Sequence, residues 1–201
     1  MELSQVEYKV KQIAGVVCAI EGLAWTLMSL FCIILYNYAA GDIDINIRRY
    51  WNLVIFVIYS TFIFDDTPIF SNQTVTGSVF TGFMWIHFLL NVLWTVMSLL
   101  ILRTQTTSQR LTAWSLLTLT ICAWDFVTAS ILGVDYKNCM SGASNNKYMT
   151  FKQMMCTNGI LPVVVIAAKG FVLWIMNLCF GFTLLLATRR LKKIKMTREL
   201  S

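Results

Sequence analysis

Four stretches of the chain, 13–36, 79–102, 111–134 and 160–187, are nearly unbroken apolar runs, and polar residues crowd into the segments between and after them. A helix rises 1.5 Å per residue, so crossing about 30 Å of hydrocarbon takes roughly 20 residues. All four runs are longer than that. They predict an all-α membrane protein, a four-helix transmembrane bundle forming a single polytopic domain over residues 1–201. The connections are a long loop at 37–78, a short turn at 103–110, a second loop at 135–159 and a tail at 188–201. The first run is too long for the apolar core of a signal peptide, carries Glu21 and lacks a small-residue cleavage site, so it reads as a signal anchor.

Ionisable or amide residues within the runs are few: Glu21 in the first, His87 and Asn91 in the second, Asp125 in the third, Lys169 and Asn177 in the fourth. A charge at membrane depth costs several kcal/mol on insertion scales and faces protein or water rather than lipid. Helical spacing groups these residues with small ones. Ser115, Thr118, Cys122, Asp125 and Ala129 share a face, as do His87, Asn91 and Ser98, then Gly170, Asn177 and Gly181, and finally Cys18, Glu21, Trp25 and Met28. Stripes of this kind let membrane helices approach closely. Asp125, Lys169 and His87 fall at similar depths, so an Asp125–Lys169 pair with His87 beside it neutralises two otherwise costly charges. Glu21 lies deeper, with no charged partner in view, and is expected to be protonated or hydrogen-bonded to a neighbouring helix. The cluster reads as a polar clasp that fixes helix register, with an ion or proton route as the rival. A route needs broken helices, internal repeats or rings of ligands. The sequence suggests none of them, and Pro162 sits in a first turn, where proline is tolerated.

One further segment, "RRYWNLVIFVIYSTFIFDD" at 48–66, resembles a fifth span. Its apolar part, 50–64, spans about 22 Å as a helix, short of the hydrocarbon core, and extending it draws in Arg48, Arg49 and Asp44. "LVIFVIY" is rich in β-branched and aromatic residues, the types enriched in strands. The segment is therefore expected as a short strand or interfacial helix within the first loop, giving four spans.

Charge orients the spans. The tail carries Arg189, Arg190, Lys192, Lys193, Lys195 and Arg198, which the positive-inside rule places in the cytoplasm. With four spans both termini are cytoplasmic and the loops 37–78 and 135–159 are outside. Ten basic residues lie inside against five outside, and the five-span alternative gives the same count, so charge alone does not choose between them. Two features agree with this orientation. Asn72-Gln73-Thr74 is a glycosylation acceptor, of use only on a luminal or extracellular surface. Cys139 and Cys156 are the two cysteines in loops, and both fall in the loop on the oxidising side, where a disulfide persists and closes a polar segment with little apolar material of its own.

Composition agrees: hydrophobic residues are 57% of the chain and charged residues 13%, against about 45–50% and about 25% in soluble domains. The net charge of +6 is concentrated in the tail, so it reports on topology and on attraction to anionic inner-leaflet lipids, not on nucleic acid. Enzyme chemistry has little to stand on. With a single histidine inside a span, neither a two-histidine metal motif nor a serine–histidine–carboxylate triad can form, and no glycine-rich phosphate loop follows a strand. No cofactor or metal site is expected. Trp51, Trp85, Trp114 and Trp174 read as interfacial anchors and lipid-facing bulk.

Four spans, short cytoplasmic ends, a long first outer loop and a disulfide-capable second one are the layout of tetraspan proteins. Claudins add W-x-n-G-L-W and two cysteines in the first outer loop. Here 37–78 holds no cysteine, and "EGLAW" at 21–25 lies inside a span. Tetraspanins add C-C-G in the second outer loop, where this chain has Cys139 and Cys156 without that triplet. In size and span layout the chain resembles the small four-pass insect proteins that include the pasiflora proteins of septate junctions. That resemblance implies a plasma-membrane scaffold that helps assemble occluding junctions. The resulting expectation is a non-enzymatic protein working through lateral and cell–cell contacts with other membrane proteins, as homo- or hetero-oligomer, with the first outer loop as contact surface. The alternative is a small channel or transporter subunit using His87, Asp125 and Lys169, and an enzyme acting on lipid comes third.

Overall fold

The computed structural model describes residues 4–38, 62, 72–103, 107–141, 153 and 156–199. Helix α1 is Gln5–Tyr38, α2 Gly77–Ile101, α3 Ser108–Ser141, α4 Leu161–Ala167, entered through a π-helical turn at Cys156–Ile160, and α5 Val172–Glu199. No strand occurs among the described residues. Four stretches, Gln5–Asn37, Gly77–Ile101, Ser108–Ser141 and Cys156–Lys193, are long and apolar enough to cross a membrane. The chain is an integral membrane protein.

Local chemistry sets the helix ends. Ser4 and Glu7 form a reciprocal capping box at the start of α1: Ser4 N donates to Glu7 Oε2 at 3.0 Å and Glu7 N to Ser4 Oγ at 3.2 Å. Thr107 caps α3, accepting at Oγ1 from Arg110 N at 3.4 Å. Helices α1 and α3 run past the expected spans, whereas α2 matches its own to within two residues. At 34 residues, α1 and α3 are each about 50 Å long, well beyond the hydrocarbon thickness. The last turns of α3, from Asp135 to Ser141, were expected as loop and are helix.

The fold divides into two compact units, one of Met1–Leu27, Phe88–Trp124 and Val172–Ser201, the other of Met28–His87 and Asp125–Phe171. The core of the first gathers Ala14 and Cys18 of α1, Trp94 and Ile101 of α2, Leu111, Trp114 and Ile121 of α3 and Leu184 of α5. In this unit Lys11 Nζ donates to Arg103 O at 3.1 Å and Gln12 Nε2 to Leu102 O at 3.3 Å. The start of α1 therefore caps the carbonyls just past the end of α2, and the two helices are antiparallel. Four spans require that sense; the five-span alternative requires parallel helices.

The second unit packs Phe80, Leu132, Cys139, Cys156 and Ile160 with Val75 and Phe62, and the Phe62 ring stands 5.0 Å from that of Phe80. Phe62 is the one member of the 48–66 segment that is described, and it is 2% exposed. The rest of that segment, with its expected strand or interfacial helix, lies outside the described residues.

Two expectations about tryptophan and glycine are corrected. Trp114 is fully buried and donates to Ser98 Oγ at 2.8 Å, and Trp174 donates to Cys122 O at 2.8 Å. A buried indole N–H seeks an acceptor, and Ser98 on α2 supplies one. Trp85, 47% exposed, keeps the lipid-facing role. Gly170 is exposed rather than part of an inward stripe, and Met28 is 47% exposed, whereas Cys18, Glu21, Asn177 and Gly181 do face the interior.

Candidate functional site

Asp125 projects from the middle of α3 and is completely buried. Its Oδ2 lies 3.0 Å from Lys169 Nζ, and its Oδ1 lies 3.7 Å from His87 Nδ1. The first distance is a close ion pair. The second is within electrostatic range but beyond hydrogen-bond length. Lys169 is 2% exposed and His87 5%. One carboxylate thus faces two bases in an apolar surround, where pairing is what makes charge tolerable.

Lys169 reaches Asp125 because the fourth span is interrupted there, which corrects the expectation of an unbroken helix. After α4, Gly170 N donates to Val165 O at 3.1 Å and Lys169 N to Ile166 O at 2.8 Å. These are the paired bonds of a helix terminus closed by a left-handed residue. That residue is Lys169, at φ 50°, followed by Gly170 at 64° and Phe171 at 55°. Continued as a regular helix, position 169 would fall one turn beyond exposed Val165, roughly opposite the inward side chains Val163, Val164 and Ala167. The ammonium would then face lipid. The left-handed turn swings it inward and sets it at the carbonyl end of α4, where a cation is also favoured by the helix dipole.

Magnitudes favour the break, by a modest margin. Left-handed conformations at two non-glycine residues cost on the order of 1–3 kcal/mol each. An ammonium facing hydrocarbon costs about 2.5–3.5 kcal/mol on insertion scales, and an uncompensated buried carboxylate about 3–5 kcal/mol more. The sequence signal was Lys169 followed by glycine, the usual signature of a helix C-terminus, placed inside an apolar run where it reads equally as a tolerated glycine.

The other polar residues within the spans form a second, separate group. Both carboxylate oxygens of Glu21 accept from Asn177 Nδ2, at 3.2 and 3.1 Å, and Cys18 Sγ donates to Asn177 Oδ1 at 3.5 Å. Asn91 is also fully buried in this unit.

A third feature is a clamp that sequence reasoning missed. Asp135, expected in a loop, sits on α3 and is 2% exposed. Its two carboxylate oxygens accept from Thr74 N at 2.8 Å and Val75 N at 2.7 Å, charge-assisted bonds that hold the chain just ahead of α2. Asn138 Nδ2 donates to Asn72 O at 3.1 Å. One turn on, Cys139 is disulfide-bonded to Cys156, with Cα atoms 6.0 Å apart. The end of the 39–76 connection and the end of the 142–155 connection are thus both fastened to the last turns of α3. Asn72, the glycosylation acceptor, is exposed and left-handed at φ 62°. Sixty residues separate Asp135 from Val75, so no local pattern pointed to this contact.

The basic residues after the fourth run lie on α5, which continues to Glu199. Arg189, Arg190, Lys192 and Lys193 are exposed. The side chains of Lys195 and Arg198 lie outside the described residues. Arg190 Nη1 donates to Glu7 Oε1 at 3.1 Å, an exposed pair worth little in stability that nonetheless brings the two ends of the chain to one place. Among the described residues no group of histidine, cysteine and carboxylate side chains could hold a metal ion. Comparison with protein family models, curated proteins and solved structures finds no match for this chain.

Proposed function

We propose that the chain is a non-enzymatic, four-pass plasma-membrane protein that assembles cell–cell junctions of the septate type through lateral contacts and its two outer loops. The clamp on the last turns of α3 carries this reading. A carboxylate, an amide and a disulfide tie the bases of both connections to one helix end, which is what a surface built for contact needs and a mere linker does not. The exposed apolar faces of the helices suit lipid and neighbouring membrane proteins. The basic end of α5 belongs in the cytoplasm, where anionic lipids add about 1 kcal/mol per near-surface charge. The test expresses the protein in weakly adherent cells and scores clustering, together with co-precipitation of two differently tagged copies. Clustering that is lost when 142–152 is replaced by glycine and serine, in a variant that still reaches the surface, is the expected result. A surface-expressed wild-type protein that neither clusters cells nor associates with a second copy sinks the reading.

A second reading, a small channel or transporter subunit, is favoured by the interruption of the fourth span beside Asp125 and Lys169, since discontinuous helices with ionisable residues occur at transport sites. Ion flux into proteoliposomes that is altered in Asp125→Asn would support it. Absence of flux in the wild type would remove it.

A further inference from the structure

Along α3 the hydroxyls of Thr112, Ser115, Thr118, Thr120 and Ser130 each donate to the carbonyl four residues back, at 2.7–3.0 Å. Thr128 does not. It is 1% exposed, and its buried Oγ1 has no hydrogen-bond partner among the described residues. A helical threonine can satisfy its hydroxyl on its own backbone, so this one is turned elsewhere, and a buried hydroxyl left without a bond is costly. Thr128 stands three residues beyond Asp125, on the same face of α3. There Asp125 Oδ1 and His87 Nδ1 are 3.7 Å apart, too far for a direct hydrogen bond and near enough for one small molecule to touch both. Lys169 Nζ meets the other carboxylate oxygen at 3.0 Å. His87, Asp125 and Lys169 all have further interactions, so the Thr128 hydroxyl is the member of this set that still needs a partner.

We propose that this cluster is a binding site for a water molecule, held between Thr128 Oγ1 and Asp125 Oδ1 and reaching His87 Nδ1. The charges select a neutral ligand. One carboxylate and one ammonium already balance, and a bound ion would bring a third charge with nothing to offset it in an apolar surround. Water supplies both donors and acceptors, and buried waters in proteins bond to polar groups that are otherwise unsatisfied. The Thr128 hydroxyl donates to the water oxygen, and the water in turn donates to the carboxylate. It thereby joins the imidazole to Asp125, which at 3.7 Å it does not bond directly. Thr128 is the positioning residue, since its hydroxyl is the group that fixes where the water stands. The site requires neither the loop-contact reading nor the transport reading, and a register-fixing clasp accommodates it as well as an ion route does.

His87 is the single histidine of the chain, so ¹⁵N-labelled histidine reports on this site alone, in protein freed of any polyhistidine tag. In lipid bilayers, solid-state NMR that starts magnetisation on water protons and passes it to nitrogen reads whether water contacts the ring. The wild type and Thr128→Ser, which keeps the hydroxyl, should both give a water-derived His87 signal. Thr128→Val, close in shape but without the hydroxyl, should lose that signal while its directly excited His87 signal persists. A wild-type protein whose His87 ring receives nothing from water overturns the proposal. So does a folded Thr128→Val protein that keeps the wild-type transfer, since the water would then not depend on the hydroxyl. Should that variant fail to insert, Thr128→Cys, a poor hydrogen-bond donor, takes its place under the same two outcomes.

Discussion

Among the described residues two lysines are buried, and they are stabilised in different ways. Lys169 is neutralised by a carboxylate, whereas Lys11, 1% exposed, meets a backbone carbonyl at Arg103 O and stands 5.0 Å from the Tyr8 ring centroid. Removing one member of a buried ion pair strands the other, at a cost of about 3–5 kcal/mol, while replacing both by apolar residues is often nearly neutral. Lys169→Met and Asp125→Leu should each lower stability by about that amount in a detergent unfolding titration, and the double variant should recover most of the loss. His87→Gln, 3.7 Å from the carboxylate and outside hydrogen-bond reach, should cost less than about 1 kcal/mol. Lys11→Met removes a donor to a helix end without stranding a carboxylate, and should cost about 1–3 kcal/mol by the same measurement. Equal penalties at positions 11 and 169, or a double variant as unstable as either single one, would contradict this division.

Among the helices, glycine marks where close approach matters. A Cβ at Gly22 would stand 2.5 Å from Thr95 Oγ1 and 3.4 Å from Asn91 O, so α1 meets the backbone of α2 there. At Gly15 the obstruction is the tip of Leu102, 2.6 Å away and free to turn aside, and at Gly82 and Gly133 nothing lies within 4 Å. Gly22→Ala should therefore destabilise by about 1–3 kcal/mol. Gly82→Ala and Gly133→Ala should stabilise by up to about 1 kcal/mol through helix propensity. Thermal unfolding of the three variants checks the order, and a Gly22→Ala protein as stable as Gly133→Ala would mean that α1 and α2 are not in contact there. How much of this was legible from sequence varies with the range of the interaction responsible. The four apolar runs, the 3–4 rhythm of Ser115, Thr118, Cys122 and Asp125, and the pairing of the two loop cysteines needed only length, period and compartment. Trp114 was misread because tryptophan suits both interface and interior, and the hydroxyl of Ser98 decides which. Asp135 was passed over because its partners, Thr74 and Val75, lie about sixty residues away. The break at Lys169 was missed because its cause is a carboxylate on another helix.

For the molecule as a whole, the ends of the first and last helices determine how many times the chain crosses. Glu7 and Arg190 are in contact, and Lys11 and Gln12 cap the carbonyls just beyond α2. The start of α1, the end of α2 and the basic part of α5 therefore belong to one membrane surface, so both termini lie on the same side. We propose, on the arginine and lysine content of α5 and the positive-inside rule, that this side is the cytoplasmic one. An epitope tag at either terminus should be unreactive on intact cells and reactive after permeabilisation, and a tag within 142–152 should show the opposite pattern. The outcomes separate the two steps of the reasoning. Terminal tags that differ from each other would contradict the antiparallel arrangement of α1 and α2, because only an odd number of crossings parts the ends. Terminal tags that are both reactive on intact cells would leave the helix arrangement standing and invert the orientation. In that case the cluster of basic residues on α5 would serve something other than retention in the cytoplasm, and the clamped loops would face the reducing side, where the Cys139–Cys156 disulfide would not be expected to persist.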